Sequence, residues 1–156
     1  MIRVIFSDTN FLISLFCFPS STTQPSLAYE IAEAAERREI SLLVVDVVAA
    51  EFEKVIQRDF LGFAPLFEKF LSLHNVVKLP EPTFELLTRA QKVCADPNDV
   101  EICAAAVQSA ELYKVEYLLS NDFQNFHTPD MKAFLLEYDI IPISLYGLLK
   151  LLGKRP

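Results

Sequence analysis

The sequence predicts a single α/β domain over residues 1–156, a three-layer α/β/α sandwich around a parallel sheet of about five strands. Three observations carry that prediction. Short apolar, β-branched runs recur along the chain, and each is followed by residues of helical period, the alternation expected of βαβ units with right-handed crossovers. The first run stops abruptly at Ser7-Asp8, which puts a carboxylate beyond the carboxyl end of a strand, where open α/β sheets bind ligands. Finally, 156 residues is about one domain's length, and no repeat, low-complexity tract or linker divides it.

Residues 2–6 read as the first buried strand, and 11–18 as a short helical segment ended by Pro19 and the polar loop 20–25. Ser26 is an N-cap for a helix reaching Arg38, with Leu27, Ile31, Ala34 and Ala35 on one face and Arg37 and Arg38 favourably placed in its last turn. Residues 40–45 are a second strand, and Asp46 is read as the N-cap of a helix over 47–59. A Phe-rich helix over 61–73 (Phe63, Phe67, Phe70), a short strand over 76–79 and a break at Pro80 and Pro82 follow. Residues 83–94 read as a helix with Phe84, Leu87 and Val93 inward. Asp96-Pro97-Asn98-Asp99 opens the next helix: Asp suits the N-cap, Pro suits N1, and an acid at N3 favours the dipole. That helix runs to about residue 112. A fourth strand over 115–120 ends in Asn121-Asp122, 129–138 is helical, 140–143 is a fifth strand, and 145–152 is an apolar closing helix, either core or half of a dimer patch.

Composition narrows the function classes. A net charge of −7 argues against coating nucleic acid by bulk electrostatics but allows a local basic strip. No apolar run approaches the ~20 residues that cross a bilayer, and no basic, apolar, small-residue leader opens the chain, so a soluble cytoplasmic protein with no membrane contact is expected. Cys17, Cys94 and Cys103 are odd in number and lack CxxC spacing, which fits buried thiols in a reducing compartment better than disulfides or zinc. His74 and His127 stand alone without ligand spacing.

The acids carry the chemistry. Asp8 and Asp122 each end a strand, where Asp also serves as a cap or turn former. Glu51 falls at 100° per residue between Val47, Val48 and Val55, the inward side of its helix; the alternative is an exposed residue at the edge of the stripe. Asp99 has a capping alternative, yet it lies above Cys103 and Ala106 on the inward face of a very apolar helix. Asp96 reads as an N-cap, with an outer supporting role open to it. Four carboxylates at two strand ends and on the early turns of two helices can converge on one end of the sheet, where their repulsion calls for a cation. Oxygen ligands in that number, unaccompanied by Cys or His, suit Mg²⁺ or Mn²⁺ and the hydrolysis of phosphodiesters.

Ser7-Asp8-Thr9-Asn10, Glu51 within Ala49-Ala50-Glu51-Phe52, Asp96-Pro97-Asn98-Asp99-Val100-Glu101-Ile102 opening an Ala-rich helix, and Leu119-Ser120-Asn121-Asp122 together resemble the PIN domain family, in order and spacing over nearly the whole chain. The resemblance implies that Asp8, Glu51, Asp99 and Asp122 are metal-binding catalytic acids, with Asn10 and Ser120 as small polar neighbours that orient them or the water. It also implies a metal-dependent endoribonuclease, often the toxin of a VapBC-type toxin–antitoxin pair, and usually a homodimer.

Lys54 and Arg58 share a helix side with Glu51 at i+3 and i+7 and suit the phosphates of an RNA substrate; equally, they suit a solvated edge paired with acids. Phe123 and Phe126 can stack a base or simply anchor their loop. Two other readings stand beside the nuclease. One is a catalytically silent PIN-like module binding protein or RNA. The other is a phosphoryl-transfer α/β protein, weakened because Thr9-Asn10 and not a second Asp follows Asp8.

Overall fold

The computed structural model describes residues 2–17, 26–63, 65 and 76–156. Its centre is a five-stranded, wholly parallel sheet: β1 (Arg3–Ser7), β2 (Ile40–Val45), β3 (Val76–Val77), β4 (Tyr117–Leu119) and β5 (Ile141–Ile143), in the order β3-β2-β1-β4-β5. Ile5 sits opposite Leu42 on one side and Tyr117 on the other, so β1 is flanked on both edges, as its apolar run requires. The chain lays strands to one side of β1 as far as β3, then returns to the other side for β4 and β5. That reversal between β1 and β4 is the switch point at which such sheets open a crevice.

The connections are helical: α1 (Thr9–Cys17) and α2 (Leu27–Glu36) join β1 to β2, and α3 (Asp46–Asp59) leads from β2 toward β3. α4 (Phe84–Val93) and α5 (Val100–Tyr113) precede β4; α6 (Phe123–Phe126) and α7 (Pro129–Leu136) precede β5; α8 (Leu145–Leu151) follows it. With right-handed crossovers the reversal of direction puts α1–α3 and α4–α7 on opposite faces, giving the three layers expected. α8 returns to pack on α2. The core, including Phe6, Phe11, Phe52, Ile102, Leu118 and Phe126, is continuous across the layers.

Local chemistry explains the boundaries. Ser26, Thr83, Thr128 and Ser144 each accept a backbone N–H at the start of a helix. Asp96 does the same for a short 3₁₀ turn, Pro97–Asp99, before α5. Asp46 is not the N-cap expected of it. α3 begins at Asp46 itself, and its Oδ1 accepts Val47 N–H at 3.0 Å and Leu79 N–H at 3.4 Å, fastening the chain after β3 to the head of α3. Phe84 is a second correction, because at the first position of α4 it is 85% exposed and α4 packs on the core through Leu86, Ala90 and Val93 instead. β3 is only two residues long, and beyond the 3₁₀ turn Leu61–Phe63 the expected Phe-rich helix, like the loop 18–25 and His74, lies outside the described residues. Among the described residues no helix is long and apolar enough to cross a membrane.

Candidate active site

β1 and β4 run side by side, and their ends deliver Asp8 and Ser120 to the switch point. Asp8 is almost wholly buried, with its backbone N–H bonded to Leu119 O at 3.2 Å and its carboxylate to the Ser120 hydroxyl at 2.7 Å. Ser120 is itself fixed from three directions: its N–H donates to Ile143 O, its carbonyl accepts His127 Nε2–H at 2.7 Å, and its hydroxyl also accepts Asp122 N–H at 3.0 Å. One hydroxyl therefore holds the acid after β1 and the backbone of the acid after β4.

The second pair of acids comes from helix starts. Glu51, half-buried in the second turn of α3, accepts the Thr9 hydroxyl at 3.1 Å. Asp99 ends the 3₁₀ turn and is buried, makes no capping hydrogen bond, and leaves its Oδ2 without any partner. An unpaired buried carboxylate oxygen is costly, and its position separates Asp99 from Asp96, whose carboxylate is occupied by Asn98 N–H.

Electrostatics tie the four together. Burial pushes the Asp8 carboxyl up to about 6; the Ser120 hydroxyl and Thr9 N–H oppose the rise, while the charges of Glu51 and Asp122 add to it. Asp99 is pushed up to about 7, first by burial and then by Asp122, Asp8, Asp96 and Glu51. Asp8 and Asp99 thus both lie in the field of Glu51 and Asp122, on one end of the sheet. Asp122 is half-buried and accepts the Asn125 amide at 2.8 Å.

The donor set is chemically right for a hard divalent cation: carboxylates in excess of nearby positive charge, one with a bare buried oxygen. As placed, however, no three Asp, Glu, His or Cys side chains among the described residues are gathered closely enough to hold a metal ion together. Two of the acids are bonded to donors of their own surroundings, Glu51 to the Thr9 hydroxyl and Asp122 to the Asn125 amide.

Beside the acids, Glu51, Lys54 and Arg58 of α3 face Pro97, Asn98 and Glu101 across a cleft of about 810 Å³. Lys54 is exposed there, whereas Arg58 is held by Asp59 through two hydrogen bonds of 2.9 and 2.7 Å. The two loop phenylalanines divide: Phe126 is buried and anchors the loop, while Phe123 stays 57% exposed, its ring centroid 4.7 Å from that of His127. Asn10 is exposed on the first turn of α1, and its neighbour Thr9 makes the contact to an acid. Thr9, Asn125 and His127 were not among the expected site residues. Only their nearness in sequence to Asp8 and Asp122 hinted at them.

Carboxylates gathered at the switch point of a parallel sheet define an α/β protein with an acidic crevice suited to divalent cations. The sequence model of the PIN domain matches residues 3–128, and the chain belongs to the PIN domain family. No curated protein matches it. Among solved structures it is similar in fold to VapBC2 from Rickettsia felis, determined bound to a DNA fragment from their promoter, with a TM-score of 0.58 and 13% identity over 91% of this chain and 98% of that one.

Proposed function

We propose that this protein is a Mg²⁺- or Mn²⁺-dependent endoribonuclease of the cytoplasm and the toxin of a toxin–antitoxin pair. The observation that carries the reading is Asp99 Oδ2, buried and unpartnered within the field of four other carboxylates. Asp8, Glu51, Asp99 and Asp122 would hold the metal, which when bound supplies Lewis acidity toward a phosphate and lowers the pKa of water. Ser120 fixes the rotamer of Asp8, while Thr9 and Asn125 hold Glu51 and Asp122 beside the crevice. An RNA strand enters along the cleft of α3, with Lys54 on a backbone phosphate and Phe123 offering a face for an unpaired base. The fold shared with the VapBC2 chain supports an antitoxin as the controlling partner; a homodimer is the assembly that the family resemblance implies.

The test is cleavage of single-stranded RNA with Mn²⁺, with EDTA, and by Asp99→Asn and Asp8→Asn. Cleavage confined to the metal-loaded wild type, with both variants folded, supports the reading; full activity in both variants overturns it. Arg58's engagement by Asp59, with the net charge of −7, favours a second reading, a silent PIN-like binding module. RNA bound without metal-dependent cutting would select it.

A further inference from the structure

The ladder between β4 and β5 advances in steps of two: Ile141 N–H donates to Glu116 O and Ser120 N–H to Ile143 O, each at 3.0 Å. The next donor in line for the Ser120 carbonyl is therefore Leu145 N–H, but that group bonds Asn121 Oδ1 instead, at 3.0 Å. Ser120 is wholly buried, and a buried carbonyl without a partner is costly, so the strand end needs a donor from elsewhere. His127 supplies it, with Nε2 2.7 Å from Ser120 O. A carbonyl oxygen only accepts, so Nε2 is the nitrogen that carries the proton.

The same imidazole has a second contact. Phe123 opens α6 and His127 follows that helix as its C-cap, so the two rings share one helical side at i and i+4. Their centroids are 4.7 Å apart and their planes tilted by 38°, within the range of a favourable aromatic pair. His127 restrains the Phe123 ring from one side, while most of Phe123 stays open to solvent. We propose that His127 is a positioning residue with two jobs. Its N–H fixes Ser120, whose hydroxyl holds the Asp8 carboxylate and the Asp122 N–H; its ring presets Phe123 as a ledge for an unpaired base. The proposal rests on the nuclease reading of the site.

The two jobs use different atoms and can be separated. His127→Gln keeps an N–H within reach of the Ser120 carbonyl but removes the ring; His127→Phe keeps a ring beside Phe123 but leaves the carbonyl bare. An outer partner of a metal-site residue is worth about 10- to 100-fold in metal affinity, and His127 acts through Ser120, which places its N–H at the lower end. An aromatic pair of this kind is worth about fivefold in the affinity that depends on it.

The experiment compares the whole wild-type chain with both variants in three measurements. These are Mn²⁺ affinity by calorimetry, affinity for a short single-stranded RNA in EDTA by fluorescence anisotropy, and kcat and KM for its cleavage in Mn²⁺. His127→Gln should weaken RNA binding and raise KM about fivefold, with kcat and Mn²⁺ affinity within about twofold of wild type. His127→Phe should lower Mn²⁺ affinity and kcat about tenfold, with RNA binding within about twofold. Equal losses in both variants, or no losses in either, overturn the proposal. Imidazole nitrogen-15 shifts of the wild type need no variant to fold: a proton on Nε2 of neutral His127 is expected, and a proton on Nδ1 instead overturns the proposal. Wild type that binds Mn²⁺ and RNA yet cuts none refutes the nuclease reading alone, leaving the two affinities to judge His127.

Discussion

Raising the pH should destabilise this fold when metal is withheld. Asp8 has its carboxyl pushed from 3.8 to about 6 by folding, so the native state binds a proton more tightly than the unfolded chain does. The stability it contributes is complete below about pH 4 and is lost as the pH rises through 6. At 1.36 kcal/mol per unit the full loss from Asp8 is about 3 kcal/mol, of which about half falls between pH 5 and 8. Asp99, pushed up to about 7, acts in the same direction and extends the window toward neutrality. Urea unfolding in EDTA should show a midpoint lower by roughly 0.5–1.5 M at pH 8 than at pH 5, given a slope of 1–3 kcal/mol per molar. Asp8→Asn should flatten that dependence, and Mn²⁺ at pH 8 should restore the lost stability to the wild type. A midpoint that is level or rises from pH 5 to 8 in EDTA, or an equal slope in Asp8→Asn, would refute the account of a strained acidic crevice.

Removing the Ser120 hydroxyl leaves the Asp8 carboxylate short of a buried donor, so Ser120→Ala should cost about 1.5–3 kcal/mol at pH 7 by urea unfolding and lower metal-dependent cleavage 10- to 100-fold. Phe126→Ala should cost about 3–5 kcal/mol through the cavity it leaves, whereas Phe123→Ala should change stability by less than about 0.5 kcal/mol and instead weaken RNA binding in a filter assay. Lys54→Ala should reduce the salt dependence of RNA binding by about one charge's worth, with Arg58→Ala smaller because Asp59 already occupies that guanidinium. Lys114 ends α5 with φ 56°, a left-handed conformation awkward for a side chain, so Lys114→Gly should raise stability by up to about 1 kcal/mol in thermal melts.

The elements were legible wherever a local chemical signal decides the backbone. Ser26 caps the helix it was expected to cap, Asp96 caps the turn that leads into the next, and the β-branched run at 40–45 is a strand over its whole expected length. Direction was legible for Asp99, since an acid above Cys103 and Ala106 must face the interior. What sequence did not disclose depends on packing between distant elements. Thr9 reaching Glu51 spans 42 residues, Asp46 bonding to Leu79 spans 33, and no periodicity encodes either. Phe84 misled because helical phase was read without regard to the helix end, where the first side chain overhangs solvent.

The hydroxyl that steadies Asp8 belongs to a residue 112 positions downstream. A chain emerging from the ribosome therefore carries Asp8 and Glu51 long before anything can lock Asp8 in place, and that acid is fixed only when β4 slots in beside β1. For the ribonuclease proposed above, the delay would keep the site unassembled until synthesis nears its end.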